Sequence, residues 1–392
     1  MNVRDAYITT NQVQSLAMDE LRDDGDHDLS LGDRFDLWRD GFQSQAATLY
    51  DFEEHGRDAY LDDYRRYVRT KRINGRWSLA LDNKLLFHRL LEPFDEHRPE
   101  LYGVVRDGRF HHVSDGRTGD GVPADTVPAP DAEVSPTRFG RRDDGHPGDA
   151  ELTGVDDRNA GAVVYDHLRR EGNLVLKWTN GGGGNNVLLC QRMDDGVRID
   201  GETVTREAFE RRVDALSDYL VTELVGMDTY AYHLYPDSPN TIRALSMYDA
   251  QAGEPFLATA VHRIGTDASA PVDNWSAGGL SASIDLDTGE LSPAARAPKF
   301  GWEGRREVHP DTEEQIAGVT VPGWDDIREE LLAMADELSY VPYIAWDIVV
   351  DAPGEFAVIE ANNYTDVDLL QVHEPLLTDE RVRRFYETHD VL

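Results

Sequence analysis

The sequence predicts an α+β protein in which antiparallel hairpins and amphipathic helices share the chain. The stretch at 174–190, LVLKWTNGGGGNNVLLC, has two short apolar runs around a glycine turn, which is typical of a β-hairpin. Two apolar runs at 344–350 and 355–360 flank a Pro-Gly turn and predict another hairpin. Apolar residues at 324–338 recur with the helical period and predict a long amphipathic helix.

The remaining elements can be assigned in chain order. Residues 1–75 are polar with helix-like spacing and an aromatic stripe, and their first part is expected to fray. A strand or turn at 77–81 gives way at Asp82 to an amphipathic helix that carries Lys84. The segment 114–150 is rich in Gly, Pro and Asp and is predicted to be a linker or surface insertion. Further predictions are hairpins at 101–113 and 197–204, strands at 220–225, 240–249, 256–264 and 280–286, helices at 159–170, 206–219 and 380–386, and a mobile loop at 294–308.

The charge balance of the chain limits its partners. The 392 residues include 75 acidic and 39 basic residues, which gives a formal net charge of −36. Such a charge repels nucleic acids and anionic membranes, so neither is an expected partner. An acidic surface with arginine as the main base is typical of a salt-rich cytoplasm, where salt screens the self-repulsion. We therefore expect a halophilic protein whose acidic residues are mostly solvated.

Lysine is scarce, and this scarcity gives weight to the lysines that remain. The chain has four lysines, so 39 − 4 leaves 35 arginines. The four are Lys71, Lys84, Lys177 and Lys299. A retained lysine is expected to do what arginine does less well, such as presenting a compact charge to a phosphate.

The cysteine content and the apolar runs bear on where the protein works. Cys190 is the single cysteine, which excludes an internal disulfide and predicts a buried, inert thiol. The first residues, MNVRDAYITTNQ, carry no apolar leader. No apolar run approaches the roughly 18 residues of a membrane span. We therefore expect a soluble, cytoplasmic protein.

The glycine loop of the first hairpin is a candidate phosphate site. Gly181, Gly182, Gly183 and Gly184 raise the entropy of the unfolded chain, so stability alone does not favour them. Their backbone N–H groups can approach a phosphate closely, and Lys177 on the preceding strand would add a point charge. No Gly-Lys-Ser/Thr follows, which excludes a Walker A loop, and the strand-like continuation excludes a dinucleotide-binding turn. The alternative is an exposed surface hairpin with one lysine.

Two late strands carry carboxylates in an apolar setting. Asp347 lies within the run IAWDIVV, and Glu360 and Asn362 lie two residues apart in IEANN, so they share a face. If the strands pair through the turn at Pro353-Gly354, the three side chains converge. Two carboxylates and an amide oxygen suit a Mg²⁺ that also binds phosphates. The alternative is a pair of acids that are hydrogen-bonded to arginines.

The order of these motifs resembles the ATP-grasp superfamily and, more narrowly, the sugar-transfer-associated ATP-grasp family. The matching segments, between about 75 and 375, are LDNK at 81–84, LVLKWTNGGGG at 174–184, TELV at 222–225, YPDSPNTIR at 235–243, VDNWSAGG at 272–279, HPDT at 309–312, VPGW at 321–324, WDI at 346–348 and IEANN at 359–363. The 114–150 segment departs from the family pattern, as does Trp178, where many relatives continue with proline.

The resemblance implies an ATP-grasp fold, in which two α+β subdomains grip ATP, with a helical N-terminal region added. The implied regions are a helical region at 1–75, an N-terminal lobe at 76–150, a lid subdomain at 151–225 and a catalytic subdomain at 226–392. The implied cofactors are ATP and Mg²⁺, or Mn²⁺ in its place.

The resemblance also implies roles for particular residues. Nucleotide contacts would be Lys84 and Lys177 at the α- and β-phosphates, Gly181, Gly182, Gly183 and Gly184 as a lid, Glu223, Leu224 and Val225 at adenine, and Asp228 at the ribose. Asp347, Glu360 and Asn362 would bind the metal, while Asn274, Gly278 and Gly279 would line the acceptor side. Arg243 would stabilise the transferring γ-phosphate. Independently of the resemblance, Arg263 is a candidate clamp for a substrate carboxylate, with a salt bridge to an acid as the alternative, and His309 is a candidate substrate contact or general base.

These features predict an ADP-forming ligase that joins a carboxylate to an amine, or to a hydroxyl, through an acyl phosphate. Such chemistry needs positioned charges rather than a reactive side chain, and no Ser-His-Asp set is evident. The family association suggests modification of surface sugars or their precursors, with a possible partner in a glycosyltransferase pathway. Two alternatives stay open: a kinase that phosphorylates a hydroxyl on the same scaffold, and a non-catalytic nucleotide-binding partner of a glycosyltransferase.

Overall fold

The chain forms two compact units, each with its own antiparallel sheet. The computed structural model describes residues 12–14, 16–18, 20, 29–113, 152–180, 186–301 and 304–392. The first unit combines Met1–Asp82 with Asp228–Leu392, and the second comprises Asn83–Met227. The predicted linker at 114–150 and the predicted lid at 181–184 lie outside the described residues.

The strands and α-helices have the following bounds. The strands are β1 (Leu101–Arg106), β2 (Arg109–Val113), β3 (Leu152–Asn159), β4 (Asn173–Trp178), β5 (Val187–Met193), β6 (Gly196–Ile199), β7 (Glu202–Val204), β8 (Tyr219–Thr222), β9 (Ile242–Asp249), β10 (Glu254–Ile264), β11 (Leu280–Ser283), β12 (Ala295–Arg296), β13 (Tyr343–Ala352) and β14 (Glu355–Asn362). The α-helices are α1 (Leu31–Arg39), α2 (Ala46–Leu49), α3 (Phe52–His55), α4 (Ser78–Asp82), α5 (Lys84–Leu90), α6 (Ala160–Glu171), α7 (Arg206–Asp214), α8 (Thr229–Leu234), α9 (Trp324–Glu337), α10 (Asp368–Gln371) and α11 (Glu380–Thr388). In the part of the chain that the structure describes, each helix is too short or too polar to cross a lipid bilayer.

The sheet of the second unit has the strand order β3-β2-β1-β8-β4-β5-β6-β7. Val164 and Leu168 of α6 and Phe209 of α7 share one buried core with Leu174 of β4. This core stabilises the unit, since each fully buried side chain of this kind contributes about 1.5–3 kcal/mol. Cys190 of β5 lies in the same core, and burial raises the pKa of its thiol to about 12, as an inert thiol requires.

The sheet of the first unit has the strand order β12-β11-β10-β9-β13-β14. Leu245 of β9 and Tyr343 of β13 share a buried core with Tyr50 from the N-terminal region, and α9 contacts β9, β10 and β14. Side chains two residues apart on a strand share a face, so Arg243 and Asp347 lie further along the face that carries this core. One face of the sheet is therefore apolar at one end and charged at the other.

Most of the predicted elements are confirmed. The hairpins β1–β2, β4–β5, β6–β7 and β13–β14, the pair β9–β10, and the helices α6, α9 and α11 form where the sequence predicts them. Several assignments are wrong or too long. Residues 78–82 form a helix instead of a strand or turn, the helix predicted at 206–219 ends at Asp214, and the strand predicted at 280–286 ends at Ser283. The strand predicted at 220–225 ends at Thr222, and the predicted loop at 294–308 contains a short strand that pairs with β11. Pairing with other strands decides the last two cases, and a local sequence pattern does not show which strands will pair.

The two units divide the chain differently from the four predicted regions. β1 pairs with β8, so residues from the lobe at 76–150 and from the lid at 151–225 share one sheet. Tyr50 and Leu61 of the N-terminal region share a core with Tyr343 of β13, which groups that region with the C-terminal part of the chain. These groupings arise from contacts between residues that are far apart in sequence.

Candidate functional site

Backbone hydrogen bonds bring two lysines of the second unit to the same end of β4. Lys177 is the penultimate residue of that strand, and Lys84 begins α5. The backbone N–H of Lys84 donates to the carbonyl oxygen of Thr179 at 2.8 Å. The side chain of Asn83 donates to Oδ1 of Asn180 at 2.9 Å. These bonds hold the start of α5 beside the strand end that leads into the glycine loop.

Lys177 is a buried lysine, with only 9% of its surface exposed. In the sheet it lies opposite Val187 of β5 and Leu220 of β8. Electrostatic interactions are stronger where water is excluded, so a phosphate next to this ammonium would be held more tightly than at an exposed lysine. The burial of Lys177 therefore supports its predicted contact with phosphate.

The segment that follows β8 presents backbone groups that a nucleotide base could use. The side chain of Glu223 accepts the N–H of Glu100 at 2.9 Å, and the N–H of Glu223 donates to the carbonyl of Glu100 at 3.0 Å. Beyond this anchor, Leu224 is 42% exposed. Within the described residues, no hydrogen bond involves the backbone of Val225. Its N–H can therefore donate to a ligand such as a purine nitrogen.

Asp228 serves as a helix cap. Its Oδ1 accepts the N–H of Tyr230 at 2.9 Å, and its own N–H donates to the carbonyl of Val350 at 2.8 Å. These bonds start α8 and join it to β13. The predicted ribose contact would use the remaining acceptor positions of this carboxylate.

In the first unit, three charged side chains form a row across neighbouring strands. Asp347 of β13 lies opposite Arg243 of β9 on one side and opposite Glu360 of β14 on the other. Residues that lie directly opposite in antiparallel strands point to the same face. Asn362 lies two residues along β14 and points to that face as well. The structure thus brings Asp347, Glu360 and Asn362 together.

Asp347 is a buried carboxylate held by two guanidinium groups. Arg243 donates to both oxygens, through Nε and, at 2.7 Å, through Nη2, and Nη1 of Arg263 lies 3.3 Å from Oδ2. Burial raises the pKa of Asp347, but the charges of Arg243 and Arg263 and the hydrogen bonds from Arg243 outweigh it. The net shift is downward, so Asp347 is ionised at neutral pH. Asp347 therefore matches the alternative expected from the sequence, an acid that is hydrogen-bonded to arginines.

Glu360 and Asn362 complete the set of donors that a metal would meet. Both side chains are half-buried. The amide nitrogen of Asn362 donates to Oδ2 of Asp347 at 3.3 Å, which turns the amide oxygen away from that carboxylate. The described residues contain no group of three or more His, Cys, Asp or Glu side chains arranged to hold a metal by themselves. Because Arg243 and Arg263 already pair with Asp347, the carboxylate of Glu360 and the amide oxygen of Asn362 are the donors that fit a Mg²⁺ taking its other ligands from phosphates and water.

Arg263 belongs to the same buried network. Its Nη2 lies 2.6 Å from Oδ1 of Asp273 and also donates to Oδ1 of Asn274. Oδ2 of Asp273 accepts the N–H and the hydroxyl of Thr241, at 2.7 and 2.6 Å. Arg263 thus forms the salt bridges that were expected as the alternative to a substrate clamp. A substrate carboxylate would have to share this guanidinium with Asp273 and Asp347.

Gly278 and Gly279 are required by the backbone around them. Gly278 has a φ of +108°, a conformation that favours glycine. A Cβ on Gly279 would lie 2.4 Å from the carbonyl oxygen of Asp273. Both glycines therefore shape the loop that carries Asp273 and Asn274.

The hydrogen bonds of His309 contradict its interpretation as a general base. Its Nε2 lies 2.8 Å from the carbonyl oxygen of Gly265, and its Nδ1 accepts the N–H groups of Asp311 and Thr312, both at 3.2 Å. The ring is 1% exposed and stacks on Tyr235. Burial lowers the pKa of His309, and both ring nitrogens are already used by the backbone. Its function in the structure is to fix a loop.

Three residues of the buried network were not predicted from the sequence. Asp273 pairs directly with Arg263, and Thr241 anchors Arg263 indirectly by donating to Asp273. Oγ1 of Thr365 accepts a hydrogen bond from Nη1 of Arg243 at 3.3 Å. Asp273 directly precedes Asn274, and Thr241 lies two residues before Arg243, so both adjoin predicted site residues. Proximity to those residues is the signal that could have indicated them.

A comparison with protein families identifies the family of this chain. The model described as sugar-transfer associated ATP-grasp matches residues 64–384. The match covers well over half of the chain, so the chain belongs to this family. Its α+β fold with two antiparallel sheets is accordingly the ATP-grasp fold that the sequence predicted.

Solved structures show a distant likeness. The ATP-grasp ligase PsnB complexed with minimal precursor, Mg and ADP is 13% identical, over 52% of this chain and 42% of that chain, with a TM-score of 0.26. The ADP complex of purK, N5-carboxyaminoimidazole ribonucleotide synthetase, is 13% identical, over 52% and 38%, with a TM-score of 0.29. D-alanine–D-alanine ligase from Bacillus anthracis is 12% identical, over 79% and 69%, with a TM-score of 0.34. The chain spans about half or less of the length of the first structures that it matches. The comparison with curated proteins found no match.

Proposed function

We propose that this protein is an ATP-dependent, ADP-forming ligase that joins a substrate carboxylate to an amine or a hydroxyl through an acyl phosphate. The observation that carries the proposal is the row of Arg243, Asp347 and Glu360, with Asn362 beside it, in a chain of an ATP-grasp family. Phosphoryl transfer requires fixed charges around the transferring group, and this row supplies charges of both signs. ATP and Mg²⁺, or Mn²⁺, are the proposed cofactors.

The proposed nucleotide contacts lie mainly in the second unit. They are Lys84 and Lys177 for the phosphates, Gly181, Gly182, Gly183 and Gly184 for a lid, Glu223, Leu224 and Val225 for adenine, and Asp228 for the ribose. The burial of Lys177 and the backbone N–H of Val225 support these assignments.

The proposed metal contacts lie in the first unit. When bound, Mg²⁺ would neutralise phosphate oxygens and orient the transferring group. Glu360 and the amide oxygen of Asn362 would hold it directly. Asp347 is fixed by Arg243 and Arg263, and it would orient the amide of Asn362 while adding negative charge at the site.

Arg243 supplies the positive charge for the transfer step. Its Nε and one N–H of Nη2 bond Asp347, and one N–H of Nη1 bonds Thr365, so further N–H groups remain for the γ-phosphate. A carboxylate oxygen of the substrate would bond to the γ-phosphorus as the bond to ADP breaks. The amine would then attack the acyl carbon, inorganic phosphate would leave, and the proton of the amine would pass to solvent.

The biological setting is also part of the proposal. The family association supports a reaction on surface sugars or their precursors, alongside a glycosyltransferase pathway. The net charge of −36 and the shortage of lysine support a soluble, cytoplasmic protein of a halophile.

A hydroxylamine trap tests the proposed reaction. The protein is incubated in concentrated KCl with ATP, Mg²⁺, hydroxylamine and a panel of carboxylates. We expect hydroxamate and ADP in equal amounts, and we expect Glu360→Gln to lose both. ADP without hydroxamate, with phosphate on a hydroxyl, would instead identify a kinase. Nucleotide binding with no ADP across the panel would identify a non-catalytic protein.

The four lysines allow a separate test of the nucleotide contacts. A short pulse of acetic anhydride is followed by mass spectrometry of the peptide that carries each lysine. ATP is expected to slow the acetylation of Lys84 and Lys177 and to leave the exposed Lys299 unchanged. Equal rates with and without ATP at Lys84 and Lys177 would contradict the assignment.

A further inference from the structure

A basic segment without acids lies in the N-terminal part of the first unit. Residues 65–76, RRYVRTKRINGR, carry five arginines and one lysine and contain no Asp or Glu. The chain as a whole has 75 acidic and 39 basic residues, so this segment is opposite in charge to its surroundings. A local region of positive charge on an acidic protein attracts anionic ligands.

The segment is held rigidly at its start. Arg66 is 1% exposed and pairs with Asp63 at 2.8 Å, Asp366 at 2.5 Å and Asp368 at 2.9 Å. Residues 65–69 form a π-helical turn, a geometry that is frequent at functional sites. The charge of Arg66 is thus neutralised by these three acids, and the ion pairs fix the segment against the residues that follow β14.

The end of the segment is held against the same residues. The side chain of Asn74 donates to Oδ1 of Asn363 at 2.9 Å and to the carbonyl of Tyr343 at 2.6 Å. Asn363 directly follows Asn362, the last residue of β14. The basic segment therefore lies beside the strand that carries the proposed metal ligands.

Lys71 lies between these two anchors and has a different environment. Its Nζ is 4.3 Å from the centre of the Tyr364 ring, and its side chain is half-buried. Among the described residues, no carboxylate forms an ion pair with it, although the chain has 75 acids. Burial lowers the pKa of its ammonium, and the charge of Asp82 opposes this only in part. A half-buried cation without a paired acid is stabilised when an anion binds.

We propose that Lys71, resting on the ring of Tyr364, binds an oxyanion, either a phosphate or a carboxylate group, beside the end of β14. The compact ammonium has three N–H donors for such a group, and the ring of Tyr364 limits where it can point. This explains why lysine is kept here in a chain that uses arginine at nearly every basic position. In the proposed ligase this anion would belong to a substrate, and that identification rests on the proposed function.

Competitive acetylation measures the anion site without ATP or any reaction. The acetylation rate of Lys71 is compared in concentrated KCl with added inorganic phosphate, malonate or extra KCl at equal ionic strength. Lys299 is the matched internal control, since its Nζ lies 5.0 Å from the ring of Phe300 but it is exposed. We expect saturable slowing at Lys71, at least about threefold at saturation, and no change at Lys299. The more effective anion distinguishes a phosphate site from a carboxylate site. Equal behaviour of Lys71 and Lys299 in all three salts overturns the proposal.

Variants provide a second measurement. Phosphate or malonate, whichever protects Lys71, is expected to raise the thermal midpoint of the wild-type protein. Lys71→Met should abolish that shift, Lys71→Arg should keep part of it, and Lys299→Met should leave it intact. Loss of the shift in Lys299→Met, or its persistence in Lys71→Met, would contradict the assignment. Failure here leaves the hydroxamate test unaffected, and failure of the hydroxamate test leaves the anion site measurable.

Discussion

Replacing Asp347 by asparagine should destabilise the protein, because it removes the acid that neutralises Arg243. Arg243 pairs with Asp347 through both carboxylate oxygens, and the side chains are 10% and 4% exposed. Asp347→Asn keeps the shape and one acceptor oxygen but removes the negative charge. The guanidinium of Arg243 would stay buried with a neutral amide and with Thr365.

The magnitude follows from the contacts that remain. Removing one member of a buried ion pair costs about 3–5 kcal/mol, because the other charge stays buried. Arg263 keeps its close contact with Asp273 at 2.6 Å, so the loss falls mainly on Arg243. We therefore expect the lower end of this range, about 3 kcal/mol.

The effect should depend on pH in a defined direction. The pKa of Asp347 is lowered in the folded protein, so its contribution to stability is complete above the pKa of an unfolded aspartate, about 3.9. That contribution is lost as the pH falls through the lower pKa of the folded state. The difference in unfolding free energy between wild type and Asp347→Asn should be constant near neutral pH and shrink below about pH 4.

Urea unfolding in concentrated KCl, followed by circular dichroism, measures this difference. Glu360→Gln is the matched control, since it neutralises the neighbouring half-buried acid and should cost less than about 1 kcal/mol. Equal stability of wild type and Asp347→Asn would refute the reasoning. An equally large loss in Glu360→Gln would also refute it, because burial would then not distinguish the two acids.

Three further predictions concern the nucleotide, the metal and the surface charge. Lys177→Ala should weaken ATP binding about 10- to 100-fold in calorimetry, the worth of a charge-assisted hydrogen bond, and Lys299→Ala should not; equal affinity in both variants would count against the phosphate contact. Glu360→Gln should lower turnover at least about 100-fold while its circular dichroism spectrum stays native; near-normal turnover would remove Glu360 as a metal ligand. Dialysis to low salt should unfold the protein, because screening of a net charge of −36 is lost; a thermal midpoint independent of KCl would end the halophile interpretation.

Local patterns predicted much of the fold. The hairpins follow from period-2 alternation and turn residues such as Asp107-Gly108, and α9 follows from helical spacing. Glu360 and Asn362 share a face for the same local reason. Local patterns did not predict every strand pairing. β12 forms because it pairs with β11, and nothing within 294–308 indicates this pairing.

In the candidate site, too, some features follow from local sequence and others depend on the tertiary structure. The sequence indicated His309 as a general base and Arg263 as either a substrate clamp or a salt-bridge partner, but it contained no information on the groups around each side chain. The structure surrounds His309 with backbone donors and acceptors, and it pairs Arg263 with Asp273 and Asp347. Burial among specific partners, and not residue type, decides which of these groups can meet a substrate.

By itself, the sequence determined the acidic character of this protein, its shortage of lysine, its hairpins and the shared face of Glu360 and Asn362. Each of these is a property of composition or of neighbouring residues. Only the tertiary structure decided that Asp347 is held between Arg243 and Arg263, and that Lys71 rests on Tyr364 with no acid bonded to it among the described residues. The physical reason is that strand register and packing bring together residues that are 84 or more positions apart, and no local pattern encodes which charges will meet.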